Sequence, residues 1–129
     1  MAKSRVLLVE DNEDNFELVR FLLERTDCEV LAGHNGQEAL NMAQQELPDL
    51  ILMDLSLPGM DGWTAARELK ANYNTSHIPL LALTAHTLPG DRKRAMESGF
   101  DGYISKPIDV AHFGETITKT LQSKKGKNP

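Results

Sequence analysis

The chain carries one cysteine, Cys28, among 129 residues. No intramolecular disulfide can form, and a four-cysteine zinc site is excluded. Long apolar runs are also missing, since stretches such as Leu50 to Met53 fall far short of the roughly 20 residues that cross a bilayer, so no contact with a membrane is expected. The amino terminus does not read as a signal peptide, because the short apolar run after Arg5 is broken by Glu10 and Asp11. Positive charge is in deficit, with 14 Lys and Arg against 19 Asp and Glu and a net charge of −5. Broad electrostatic binding to nucleic acid or to an anionic surface is therefore not expected. After Leu121 too few residues remain for a helix-turn-helix module. The lone thiol and the missing leader fit a cytoplasmic protein.

What is present is an ordinary globular composition, 40% hydrophobic and 26% charged, in a chain of the length of one domain. Short apolar runs at Val6 to Val9, Cys28 to Ala32, Leu50 to Met53, Leu80 to Leu83 and Tyr103-Ile104 alternate with amphipathic stretches. Several runs are apolar at consecutive positions, as strands covered on both faces must be. Between them Phe16, Val19, Leu22 and Leu23 recur at helical spacing, as do Ala39, Leu40 and Ala43, and later Phe113, Ile117 and Leu121. Asn12, Asn35, Asp61 and Asp109 stand where helix caps belong, and Glu38 follows Asn35 at capping-box spacing. Five strands alternating with five helices, joined by right-handed crossovers, predict an α/β fold: a doubly wound parallel sheet with helices on both faces.

In such a fold, ligands sit beyond the carboxyl ends of the strands. Glu10 and Asp11 follow the first strand, Asp54 ends the third, Thr84 and Ala85 end the fourth, and Ser105, Lys106 and Pro107 follow the fifth. Three carboxylates, a hydroxyl and a lysine are thus expected to converge. Carboxylates gathered without a cation repel and raise one another's pKa, so a hard divalent ion is the natural partner, and magnesium suits an all-oxygen site that also holds phosphate. A carboxylate can attack a phosphoryl group, which makes Asp54 the candidate nucleophile. Lys106 and the Thr84 hydroxyl would offset charge on the transferring oxygens. Singly, each residue also has a plain structural role as a cap, turn or surface charge; their joint placement at four strand ends is what those roles explain poorly.

The runs VLLVEDN (6–12) and LMDLSLPGMDG (52–62), with TA at 84–85 and SKP at 105–107, resemble the receiver domain of two-component response regulators. The likeness covers residues 5 to 122, giving a receiver domain over 1–122 and a basic, disordered tail over 123–129. It implies a flavodoxin-like sheet of strand order 2-1-3-4-5, an order that comes with the resemblance and not from the spacing of the apolar runs. It implies that Asp54 accepts a phosphoryl group from a phosphohistidine on a sensor histidine kinase or histidine phosphotransfer protein. Magnesium would be bound by Asp11 and Asp54, by Glu10 through water and by the backbone carbonyl of Ser56. Thr84 matches the phosphate-sensing hydroxyl, Lys106 the invariant-type lysine and Tyr103 the switch aromatic, and the Lys106-Pro107 bond is expected to be cis. The resemblance describes a signalling switch, not a turnover enzyme, with Mg-dependent self-phosphorylation and slow autodephosphorylation. Its downstream target would dock on the fourth helix, fifth strand and fifth helix, around Arg92, Lys93 and Arg94.

Glu10 stands where many members have an aspartate, which lengthens one metal-facing arm. Ser56 and His86 occupy the positions, two beyond Asp54 and Thr84, that modulate dephosphorylation in this family. Haloacid-dehalogenase-like phosphohydrolases also form an aspartyl phosphate, but they place a second acid where this chain has Ser56. A flavodoxin-like flavin carrier would need a phosphate-binding loop where Glu10 to Asp14 is anionic. Trp63 reads as core or as the start of a helix, and His34, His77 and His112 read as structural.

Overall fold

The structure is a computed structural model and describes residues 3–55, 57, 59–60, 62–84 and 89–126. Its elements run β1 (Ser4–Val9), α1 (Glu13–Glu24), β2 (Cys28–Gly33), α2 (Gly36–Glu46), β3 (Leu50–Asp54), α3 (Gly62–Ala71), β4 (Leu80–Thr84), α4 (Pro89–Glu97), β5 (Gly102–Ser105) and α5 (Val110–Gly126). The five strands form one parallel sheet in the order β2-β1-β3-β4-β5. This is the flavodoxin-like arrangement that the resemblance implies.

The period-two alternation of strand side chains divides the core into two layers. Leu7, Val9, Ile51, Met53, Leu80 and Ala82 face one side, where they pack with Ala39, Leu40 and Ala43 of α2, Trp63, Ala65, Ala66 and Leu69 of α3, and Ala95 of α4. Val6, Leu8, Leu50, Leu52, Leu81 and Leu83 face the other side, against Phe16, Val19, Leu22 and Leu23 of α1 and Phe113 and Ile117 of α5. Strands β3 and β4 are buried at every position, whereas the edge strand β5 is not. The apolar runs are strongest where both faces are covered.

Helix starts follow side-chain capping. The Asn12 side chain accepts from Asn15 N at 3.0 Å, and Asn35 accepts from Glu38 N at 2.9 Å. The reciprocal half of the box is displaced by one residue, because Glu38 Oε1 accepts from His34 N at 3.1 Å. Asp109 accepts from Ala111 N at 3.1 Å and pairs with the His112 ring at 2.7 Å, which draws His112 into the start of α5. Asp61, the expected cap of α3, lies outside the described residues. Helical backbone continues through Gly126, so the segment expected as a tail from residue 123 begins as helix, and 127–129 lie outside the described residues. No helix among the described residues is long and apolar enough to cross a membrane.

Helix α3 begins against the end of β3. A Cβ on Gly62 would stand 2.7 Å from the Asp54 carbonyl oxygen and 2.8 Å from Leu55 Cα, both backbone atoms that cannot swing aside. Gly62→Ala is expected to destabilise the fold by about 1–3 kcal/mol through this overpacking, a loss that urea denaturation will measure. An unchanged midpoint would mean that the junction has slack.

Candidate functional site

The backbone ladder continues past the strand ends and fixes the residues that follow. Glu10 N donates to Gly33 O at 3.0 Å, Leu55 N to Leu83 O at 3.1 Å, and Lys106 N to Thr84 O at 2.8 Å. The last bond matters for reach. Two strand spacings of about 4.8 Å separate β5 from β3, and three separate it from β1, more than a lysine side chain spans from an edge strand. That bond keeps Lys106 in the ladder beside β4, and the remaining gap is closed from both sides, by the lysine stem and by the carboxylate arms of Asp54 and Glu10. The ammonium then donates to Glu10 Oε1 at 2.9 Å and to Asp54 Oδ2 at 2.9 Å.

Glu10 is 1% exposed and Asp54 5% exposed, so both carboxyls sit at the edge of the core, while Asp11 faces solvent. One oxygen from each of the three lies within 4.8 Å of the others. Burial, and then the neighbouring Asp54 carboxyl, raise the Glu10 pKa to about 7 against the opposing pull of Lys106. For Lys106 burial works downward, but bonds to Asp54 and Glu10 outweigh it and hold the ammonium above its ordinary value. The second oxygen of Glu10, Oε2, is screened from water and has no hydrogen-bond partner among the described residues. An all-carboxylate donor set with a buried, orphaned oxygen fits a hard divalent cation.

Thr84 is buried at the end of β4, opposite Ser105 in the register, and Tyr103 lies opposite Ala82. Thr84 and Tyr103 are therefore diagonal neighbours on one face of the sheet. The small Ala82 side chain leaves room for the ring, and Tyr103 packs against the cluster that holds Trp63, Ala95 and Phe100, its hydroxyl screened from solvent. Its ring thus already sits inward in the unmodified chain. The Lys106-Pro107 peptide is cis. Ser56 and His86 lie outside the described residues, as does the side chain of Arg92.

Two features were not legible in the sequence as parts of this region. His34, read as structural, stands at its margin: the ring packs on Phe16 at 5.6 Å, and Nδ1 lies 3.4 Å from the Glu10 carbonyl oxygen. It borders a cleft of about 370 Å³ walled by Glu10, Asp11, Glu13, Asp14, Phe16, Glu17, Ala32 and His34. The acidic wall opposes a flavin phosphate. The second feature is Trp63, 8% exposed, whose ring meets Phe100 edge-on at 6.3 Å and carries the Arg94 guanidinium at 4.3 Å. No spacing in the sequence signals a contact between α3 and α4.

Together these observations define a doubly wound α/β domain with an acidic, lysine-bridged centre at the carboxyl ends of its strands. The model of the response regulator receiver domain matches residues 6–118, and the chain belongs to that family. The polar-differentiation response regulator DivK of Brucella anthropi is 46% identical over 121 residues, 94% of this chain and 98% of that protein. Among solved structures, the receiver domain of a sensor histidine kinase from Pseudomonas aeruginosa is 34% identical with a TM-score of 0.87, covering 94% of this chain and 99% of that one. That structure has a magnesium ion coordinated in its active-site cleft. The chemotaxis response regulator CheY4 of Vibrio cholerae is 30% identical with a TM-score of 0.81, covering 95% of this chain and 98% of that one. The family is one of signalling domains, consistent with control by phosphorylation.

The raised Glu10 pKa makes stability depend on pH. Between 4.5 and about 7 the folded state keeps a proton that the unfolded chain has released, so this group's contribution falls as pH rises through that window. In metal-free buffer, urea denaturation from about pH 4.5 to 7.5 is expected to show a slope in wild type that Glu10→Gln flattens. Parallel profiles for the two proteins would remove Glu10 as the source.

Proposed function

We propose that this domain is a switch whose Asp54 accepts a phosphoryl group from a phosphohistidine of a sensor histidine kinase or histidine phosphotransfer protein. The observation that carries the reading is the ammonium of Lys106 held between Asp54 and Glu10 at the strand ends. An Asp54 carboxylate oxygen attacks phosphorus and forms the P–O bond. The P–N bond breaks, and its electron pair returns to the imidazole nitrogen, which gains a proton. Lys106, drawn to Asp54 Oδ2 before transfer, is placed to pair with a phosphoryl oxygen afterwards, and the Thr84 hydroxyl supplies a donor from β4.

Asp11, Asp54, the Ser56 carbonyl and, through water, Glu10 would hold magnesium, which when bound neutralises charge on the transferring oxygens. A sequence neighbour of Asp54 argues for slow hydrolysis of the acyl phosphate: Ser56 stands where aspartate-based phosphohydrolases carry their second acid. The domain is therefore a switch with Mg-dependent self-phosphorylation and slow autodephosphorylation, not a turnover enzyme.

The receiver unit spans 1–122, and its output is protein docking on α4, β5 and α5, where Lys93 and Arg94 are exposed. Phosphorylation shifts an existing equilibrium toward the arrangement in which Thr84 approaches the phosphoryl group and Tyr103 fills the space beside it. The inward packing of Tyr103 supports such a pre-existing state. No direct contact with nucleic acid or membrane is part of this reading, and a kinase donor and reduced lone thiol fit a cytoplasmic setting.

Acetyl phosphate with magnesium is expected to add one phosphoryl group to the wild type, seen by intact-protein mass spectrometry, and none to Asp54→Asn. Labelling of that variant at the wild-type rate would refute the assignment. Asp11→Ala removes a direct ligand, so its magnesium affinity by calorimetry is expected to fall by about tenfold or more while folding is retained. Undiminished affinity would move the metal elsewhere.

A further inference from the structure

We propose that Arg94 and Trp63 form a clasp between α4 and α3 that ties the position of α4 to the end of the acceptor strand by a route separate from Thr84. Three contacts build the route. Gly62 lies so close to the Asp54 carbonyl that a Cβ would stand 2.7 Å away, and its amide donates to Leu55 O at 3.3 Å, so the first turn of α3 packs directly on the end of β3. Trp63, the next residue, is anchored by its edge-on contact with Phe100 at 6.3 Å, and only 8% of its surface is exposed. Arg94, from the middle of α4, lays its guanidinium over the indole at 4.3 Å.

A planar cation over an indole face is attracted by the ring quadrupole, and the guanidinium covers that face from water. Arg94 is itself exposed and its neighbour Ala95 is buried in the same apolar cluster as Trp63 and Phe100. Tyr103 packs on that cluster too. The clasp therefore belongs to the arrangement in which Tyr103 is inward, and it stabilises that arrangement. A ligand at Asp54 that favours the same arrangement must then bind more tightly when the clasp is intact. This second consequence rests on the reading of Asp54 as phosphoacceptor; the clasp itself does not.

Trp63 is the only tryptophan, so its fluorescence reports the clasp without ambiguity. Arg94→Ala, a surface truncation, is expected to red-shift the emission in the absence of any phosphoryl mimic as one ring face meets water. With magnesium present, the midpoint of a beryllofluoride titration, read from the Leu55 amide by nuclear magnetic resonance, is expected to rise by at most roughly two- to fivefold, the full worth of one exposed cation–aromatic contact. Arg94→Lys keeps the charge without the flat stack and is expected to recover part of both effects. Unchanged emission in Arg94→Ala would overturn the clasp, and a red shift with an unchanged midpoint would overturn the coupling. If beryllofluoride fails to bind even the wild type, the phosphoacceptor reading falls and the coupling with it, while the red shift still upholds the clasp.

Discussion

The rest of the site depends on one ammonium placed between two buried carboxylates. Glu10 and Asp54 are brought together by the adjacency of β1 and β3, and both are largely buried. Two such groups cannot ionise side by side without a cation. Lys106 meets that need from 96 and 52 residues away in the chain. The fold must therefore be complete before the charges balance, and no local segment could hold this centre alone.

Balance is incomplete, and the shortfall is where function enters. One ammonium faces two carboxylates, with Asp11 beside them, and the Glu10 pKa is raised to about 7 as burial and Asp54 outweigh Lys106. A buried oxygen left without a hydrogen bond costs stability. Such a deficit would have no purpose in a scaffold, but it gives a divalent cation, and any group the cation neutralises, a free-energy reason to bind. Affinity for ligand and marginal local stability are the same property seen from two sides.

Much of this was legible in the sequence because the period of the apolar residues carries it. Phe16, Val19, Leu22 and Leu23 are the buried residues of α1, and Ala39, Leu40 and Ala43 are buried in α2, as their spacing required. The apolar runs stop at Met53 and Leu83, but Asp54 and Thr84 were read as the strand ends, and the ladder includes both. Those polar residues are where pairing and chemistry overlap. The motifs placed Glu10, Asp11, Asp54 and Lys106 together, but not which carboxylate oxygens the Lys106 ammonium would bridge. Contacts between helices, such as Arg94 on Trp63, have no period and left no trace in the sequence.

The amino-terminal ends of the strands use the same kinds of side chain for a different purpose. There Arg5 pairs with Glu46 and Glu29 and bonds the Glu46 carbonyl, while its backbone amide bonds Asp49 at 2.8 Å. Lys70 donates to the carbonyls of Ser76 and Ile78 and to Asp101, whose Oδ2 also accepts from Leu80 N at 2.8 Å. In each case the cation meets enough acceptors to satisfy it, several of them backbone carbonyls that cannot titrate. These clamps pin the loops that enter β3, β4 and β5. With the entrances to the strands fixed, a charge added at Asp54 under the proposed reading would have little freedom to displace that end. On the reading of Asp54 as phosphoacceptor, the response would then fall on the ends of β4 and β5 and on α4, the region that Thr84, Tyr103 and Arg94 share.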